Sequence, residues 1–256
     1  LCVPQDLLHL PQLTRDLIRV YTLLREVGSF LVVTLGGCIP LLVHLVNLWG
    51  ADAQAKLLAT GSGDPSRSGQ LKIWSVADGA LVREFKDAHS DTIFSLEFSP
   101  GSDRIATCAA DRFVKVFEVA SGKFERAFEG HTHHVLDVSW KADNTSIASA
   151  GADNVIKVWN VDTGEQRRTI GGYSKQVTSL RFVGIGENVI SCGGDKSVRY
   201  HKTGNGQNYR SFSGGTDFMY AAASSRDESF VVAGGEDGIG RLWNGKDAKL
   251  VKAFSP

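Results

Sequence analysis

The stretch "GADNVIKVWNVDTGEQ", residues 151–166, decides the fold, because the chain writes its pattern several times. Asp153 opens a turn, Ile156 and Val158 flank Lys157 in an alternating strand, Trp159 closes that strand, and Asp162-Thr163-Gly164 turns the chain again. Asp111, Asp153, Asp195 and Asp237 stand 42 residues apart, and Phe117, Trp159, His201 and Trp243 keep the same step. Phe128, Ile170, Phe212 and Phe254 form a third such column, and Ile93, Val135, Val177 and Met219 a fourth. Four columns in one register identify an internal repeat.

Each unit reads as four short strands. "HVLDVSW" carries apolar Val135, Val138 and Trp140; "SIASAGAD" is a strand of small residues ending at the Asp turn; "VIKVWNV" alternates; "EQRRTIGG" closes on Ile170. Four strands in about 42 residues cannot bury both of their faces alone, so neighbouring units must stack as the blades of a β-propeller. The predicted fold is all-β, built of four-stranded antiparallel blades.

"GHTHHVLDVSW…SIASAGADNVIKVWNVDTG" resembles a WD-repeat (WD40) unit, from its Gly-His start to Trp159-Asn160 at the place of the Trp-Asp end. The resemblance implies a stabilising network of His131, Ser149, Asp153 and Trp159, in which a His, a hydroxyl and an indole N–H serve a partly buried carboxylate. The preceding unit offers His89, Thr107 and Asp111, but Phe117 has no donor. Asp195, Asp237 and Trp243 are the matching residues of the last two units. Tyr173 and Gly215 stand there for the His, and His201 for one Trp, so a complete network is expected in one blade only. "LLATGSGDPSRSGQLKIW" together with residues 130–166 is also similar to propellers attached to bacterial (planctomycete-type) c-type cytochrome domains. That resemblance implies a larger exported protein, periplasmic or membrane-associated; otherwise a cytoplasmic one is expected. With no CxxCH in the chain, no redox role follows from it.

Clear units run over residues 89–256, and "LLATGSGD…QLKIWSVADGALVREF" is a fifth, whose "PSRSGQ" insertion is expected to form a longer surface loop. The domain reading is a divergent segment, 1–55, followed by the repeat domain, 56–256. Two readings of the first segment stand open. Val27 to Ala51 holds no charged residue, follows Arg15, Arg19 and Arg25, and precedes "ADAQA", as a signal or membrane segment would. Alternatively, "DLIRVYTL" matches "NVIKVWNV" with Tyr21 in the Trp column, "VVTLGG" matches "RRTIGG", and "VHLVNLWGAD" matches "VLDVSWKAD". The count is five blades and part of a sixth, against the seven common in such rings. With Leu1 at the start and Met219 the sole methionine, the chain reads as a fragment.

Composition narrows the function. The 28 basic and 28 acidic side chains cancel, which gives no pull toward nucleic acid. Four cysteines lack metal or disulfide-framework spacing, and His133 and His134 beside His131 have no carboxylate or Cys at ligand spacing. Arg19, Lys72, Lys115, Lys157, Arg199 and Arg241 form a basic column, read as solvated and structural. No GxSxG, P-loop or HExxH occurs. The inner-strand positions Leu96, Val138, Leu180 and Ala222 are apolar, unlike an enzyme's channel. What remains is surface: Thr92 and Phe94, His134 and Leu136, Gln176 and Thr178, and Phe218 and Tyr220 flank the start of each inner strand, where propellers bind. The expectation is a non-catalytic scaffold for a protein or peptide, with no cofactor, small-molecule substrate or nucleic acid, and with membrane contact left open for the first segment alone.

Overall fold

Short runs of β-branched and small residues, each cut off by a turn rich in Asp, Asn or Gly, become twenty strands in the computed structural model, which describes residues 48–255. The first blade contains β1 (Leu48–Ala51), β2 (Leu57–Asp64), β3 (Ser68–Ser75) and β4 (Leu81–His89). The second has β5 (Ile93–Phe98), β6 (Arg104–Ala109), β7 (Val114–Glu118) and β8 (Phe124–Phe128). The third has β9 (Val135–Trp140), β10 (Ser146–Gly151), β11 (Ile156–Asn160) and β12 (Gln166–Ile170). The fourth has β13 (Val177–Phe182), β14 (Asn188–Gly193), β15 (Val198–Lys202) and β16 (Asn208–Phe212). The fifth has β17 (Met219–Ser224), β18 (Phe230–Gly235), β19 (Gly240–Asn244) and β20 (Leu250–Phe254). Every sheet is an antiparallel meander in chain order, as the repeat predicts.

The turn between the second and third strands shows how sequence sets geometry. Arg112, Asn154 and Lys196 follow the column Asp at φ of 74°, 67° and 70°. At two of these turns the Asp carboxylate offsets that local cost by accepting from the backbone two residues on: Phe113 N donates to Asp111 at 3.1 Å and Ser197 N to Asp195 at 3.2 Å.

The core lies between blades rather than within them. Ala106, Val116 and Phe128 of the second blade pack on Val135, Ile147 and Trp159 of the third. Ala148, Ile156 and Ile170 meet Val177, Leu180 and Val189 of the fourth. Ile190, Tyr200 and Phe212 then meet Val231 and Trp243 of the fifth. Period-two strands with two apolar faces and polar outermost strands require this stacking. The inner strands β1, β5, β9, β13 and β17 line the inside of the arc, and no packing of similar extent joins the fifth blade to the first among the described residues.

Two expectations change. The "PSRSGQ" insertion is not a long loop: β2 and β3 extend to eight residues each, pair as far as Asp64 with Ser68, and leave three residues at the tip. Extra ladder bonds are a better use of polar backbone than a free loop. Within the divergent segment 1–55 the strand alignment shifts, and β1 is the inner strand of the first blade. Its register pairs Ala51 with Leu58 as Trp140 pairs with Ile147, two residues away from the alignment of "VHLVNLWGAD". A two-residue shift keeps each side chain on its face. Among the described residues no helix is long and apolar enough to cross a membrane. The signal or membrane reading of Val27–Ala51 lies outside the described residues except for its last four, which form β1, and the strand reading of Tyr21 lies outside them too.

Candidate functional site

The third blade holds the complete network. The Trp159 indole N–H donates to Ser149 Oγ at 2.9 Å, Ser149 lies 2.8 Å from His131 Nε2, and His131 Nδ1 lies 2.9 Å from Asp153. With Nδ1–H donating to the carboxylate, Nε2 accepts from the serine, and one relay satisfies four buried groups. A side chain on Gly151 would start 2.5 Å from His131 Nδ1, so only glycine admits the ring there. Burial opposes the charge of Asp153, yet the His131 and Thr132 N–H bonds hold its carboxyl below the usual range.

The other blades keep the Asp turn and change its donors. His89, Thr107 and Asp111 repeat the relay at 2.8–3.0 Å, while Phe117 packs edge-on against Phe85 instead of donating. Burial pushes His89 below its ordinary pKa despite Asp111. In the fourth blade the two ring positions have exchanged chemistry. The Tyr173 hydroxyl bonds Ser191 Oγ at 2.6 Å and meets His201 Nδ1 at 3.4 Å. Asp195 takes Arg199 at 3.0 Å in place of a His, and burial with the nearby Arg199 charge lowers the His201 pKa to about 4. In the fifth blade Ala233 stands where the hydroxyl was, so Trp243 donates to the Ser213 carbonyl at 2.9 Å, and Asp237 is held by Arg241 and Thr216. In the first blade Trp74 donates to Thr60 at 2.9 Å. The insertion hid Thr60 from a count of 42, although its pairing opposite Lys72 marks it.

The basic column is structural, and two of its members are buried rather than solvated, with Lys72, Lys115 and Arg199 partly exposed. Lys157 and Arg241 are 9% and 4% exposed. Lys157 bonds Gln166 at 2.8 Å, Lys115 bonds the Ala88 carbonyl at 2.8 Å, and Lys72 lies 3.3 Å from Glu84. The outermost strand and the Asp turn close over these stems and supply acceptors for the buried charges. Arg19 lies outside the described residues.

The inner strands are not apolar throughout, contrary to expectation. Leu96, Val138, Leu180 and Ala222 are buried, but Glu97, Asp137 and Arg181 converge between the second, third and fourth blades. Asp137 accepts from Ser95 at 2.6 Å, from Leu180 N at 2.8 Å and from Arg181 at 2.8 and 2.9 Å. Glu97 accepts from Trp140 N at 2.7 Å, and Ser139 from Phe182 N at 3.1 Å. The inner edge of each central blade is an unpaired strand edge, and side chains of the preceding blade cap its N–H groups. Burial pushes Glu97 up, opposed by Arg181. Burial opposes the Arg181 charge, but Asp137 and Glu97 outweigh it. Alternating "SLEF", "VLDV" and "SLRF" carried this signal in the sequence. The bonds hold neighbouring blades together.

The residues expected at the rim divide. Thr92 is buried at 7% exposure, and Thr178 donates to the Met219 carbonyl at 2.6 Å; both serve the fold. Met219 is fully buried. Leu136 and Gln176 are half-buried. Two aromatic pairs remain: Phe94 with His134, across the second and third blades, ring centroids 5.9 Å apart, and Phe218 with Tyr220, within the fifth, 5.2 Å apart. Tyr220 is 55% exposed and its hydroxyl bonds Glu236. His133 stacks edge-on with His134 at 4.4 Å, and no cluster of three His, Cys, Asp or Glu side chains able to hold a metal occurs among the described residues.

The family of the WD domain, G-beta repeat matches residues 79–118, 122–160, 164–202 and 206–244. The chain belongs to the WD40 family. Each matched WD40 stretch begins in the outermost strand of one blade, or the turn before it, and ends in the third strand of the next, so the repeat unit straddles the blade boundary. Among similar proteins, the nuclear distribution protein PAC1-2 of Uncinocarpus reesii is 39% identical over 59 residues, 23% of this chain and 13% of that protein. Protein Notchless of Drosophila melanogaster is 31% identical over 88 residues, 34% of this chain and 17% of that protein. The nuclear distribution protein PAC1 of Komagataella phaffii is 32% identical over 85 residues, 32% of this chain and 16% of that protein. The WD40 chain thus matches well under a fifth of each relative's length. These relatives are eukaryotic and give no support to the bacterial cytochrome resemblance.

Proposed function

We propose that this WD40 domain is a non-catalytic scaffold that docks a protein or peptide segment on the rim carrying Phe94, His134, Leu136, Gln176, Phe218 and Tyr220. The observation that carries the reading is the Phe218–Tyr220 pair, with Tyr220 55% exposed, whose strand positions are held by Phe94 in the second blade and His134 at the start of the third. Amphipathic rings on a rigid strand start give contact area at small entropic cost, and such residues dominate protein interfaces. Membership of the WD40 family favours the same class of function. A role beside a c-type cytochrome domain draws no support from the relatives.

Selection of a displayed random-peptide library tests the reading. Peptides enriched on the wild-type chain lose at least tenfold in affinity on a Phe94→Ala/Tyr220→Ala variant and keep it on Leu81→Ala, which alters an exposed outermost strand. Equal binding to all three proteins refutes the rim as the site.

A further inference from the structure

The turn before the outermost strand is built alike in all five blades. Asp78, Ser121, Thr163, Asn205 and Asp247 each accept from the backbone N–H two residues on, at 2.9–3.3 Å. The residue after each sits at positive φ: Gly79, Gly122, Gly164, Gly206 and Ala248. Of the five side chains only that of Asn205 is a carboxamide, and with Gly206 it forms one of two Asn-Gly pairs in the sequence. Glycine brings no Cβ, so nothing obstructs its nitrogen from reaching the carbonyl carbon of the side chain before it.

At three blade boundaries an arginine of the preceding blade ties this turn down. Arg83 donates to the Ala120 and Ser121 carbonyls, Arg126 to those of Asp162 and Thr163, and Arg210 to that of Gly245. Arg168 holds the same strand position in the third blade, opposite Val158, but it is exposed and makes no such bond among the described residues. Its stem crosses Gly206, where a Cβ would start 3.1 Å from Arg168 Cδ. Asn205 is exposed and Gly206 half-buried, and the Gly206 N–H donates to the Lys202 carbonyl at 2.7 Å, a bond at a strand end that opens at low cost. The second pair, Asn244-Gly245, is held tightly. Gly245 is buried, its N–H donates to the Ser229 carbonyl at 2.8 Å, Arg210 takes its carbonyl, and a side chain there would start 2.1 Å from the Glu228 carbonyl oxygen.

We propose that Asn205 is a self-modifying site, which closes on Gly206 to a succinimide and opens to aspartate or isoaspartate in the folded chain, while Asn244 is protected. The Gly206 nitrogen gives its proton to solvent base and bonds Asn205 Cγ; the Cγ–Nδ2 bond breaks, and Nδ2 leaves as ammonia with a proton from water. Water then splits one of the two imide bonds. Splitting the bond to Cγ leaves an aspartate in an intact backbone, and splitting the other routes the backbone through the side chain as isoaspartate. One water is consumed, one ammonia is released, and nothing is oxidised or reduced. The Gln207 N–H, which donates to Asn205 Oδ1 at 2.9 Å, polarises the carbonyl under attack. The product suits its place, since Asp78 and Asp247 already occupy it in two other blades. The new carboxylate arises beside Arg168, in a chain whose 28 basic and 28 acidic side chains otherwise cancel. The proposal is independent of the rim's function.

The test holds the full chain at mildly alkaline pH, in buffer and in guanidinium chloride, and follows both Asn-Gly pairs by peptide mapping, where conversion shows as the mass gain of replacing an amide NH2 by OH. In guanidinium chloride the fold is gone and the two pairs convert at similar rates. In buffer Asn205 converts on the order of tenfold faster than Asn244, an acidic form of the chain appears on ion exchange, and Asn205→Gln removes that form. Equal rates at the two pairs in the folded chain, or a faster Asn244, overturn the proposal. A folded chain in which neither pair converts while the unfolded one does overturns it too.

Discussion

Arg126 crosses from the second blade to the third over Gly164, donating to the Asp162 and Thr163 carbonyls at 2.9 and 3.2 Å. Gly164 sits at φ +80°, and a side chain there would start 2.5 Å from Arg126 Nη1. Gly164→Ala therefore combines left-handed strain with a displaced guanidinium, about 2 kcal/mol together. Gly79, at φ +72° with open space around it, costs about 1 kcal/mol for the strain alone. Thermal unfolding is expected to show Tm falls of roughly 4–8 °C and 2–4 °C respectively. In an Arg126→Ala background the two glycine substitutions become equal.

Ser149 is the joint of the relay, so its effects are not additive with those of Trp159. Trp159→Phe removes one donor and costs about 1 kcal/mol, while Ser149→Ala strands both His131 Nε2 and the indole N–H and costs about 2 kcal/mol. Urea titrations of the single and double variants are expected to give a double-mutant loss smaller than the sum by roughly 1 kcal/mol. Additive losses contradict the shared hydroxyl.

The inter-blade ion cluster predicts a larger effect. Asp137 is the common acceptor for Ser95, Leu180 N and Arg181. Asp137→Ala leaves the Arg181 charge without its main partner and is expected to cost on the order of 3 kcal/mol, read as a lower urea midpoint. Asp137→Asn, which keeps an acceptor for Leu180 N, loses less.

Much of this architecture was legible beforehand because a 42-residue step repeats turn chemistry and strand period together. Asp153, Trp159 and the apolar columns each fix a local choice that agrees with the whole, which is why the four-stranded unit and its strand order followed from the sequence. The misses share a different cause. Glu97, Asp137 and Arg181 lie in three different repeats, and nothing in one repeat says that its carboxylate caps the next blade's backbone. Lys157 and Arg241 looked solvated because a polar residue between two apolar ones points off that face, and the outermost strand that closes over it is distant in sequence. Thr92 was placed at the rim by analogy of position, but packing beneath the first blade's glycine strand buries it: a side chain on Gly63 would meet Thr92 Cα at 2.3 Å.

Acid stability follows from His201. Unfolded, it takes up a proton near pH 6.5; folded, burial and Arg199 delay that to about 4. The unfolded state binds more protons between these values, so stability is full above pH 6.5, falls as pH drops toward 4, and changes no further from this group below that. The loss is on the order of 3 kcal/mol, and His89, lowered by burial, acts in the same direction. Urea midpoints measured from pH 7 to 4 are expected to fall less steeply in His201→Phe. An identical slope in that variant removes His201 from the account.

The central claim is that the rim, not the outer strands, meets the partner. Amide hydrogen exchange on the wild-type chain, with and without a peptide enriched by selection, reads the footprint directly. The account predicts added protection in residues 91–96 and 217–222, around Phe94 and Tyr220, with the outermost strands β8, β12 and β16 unchanged. Protection confined to those outermost strands would contradict it.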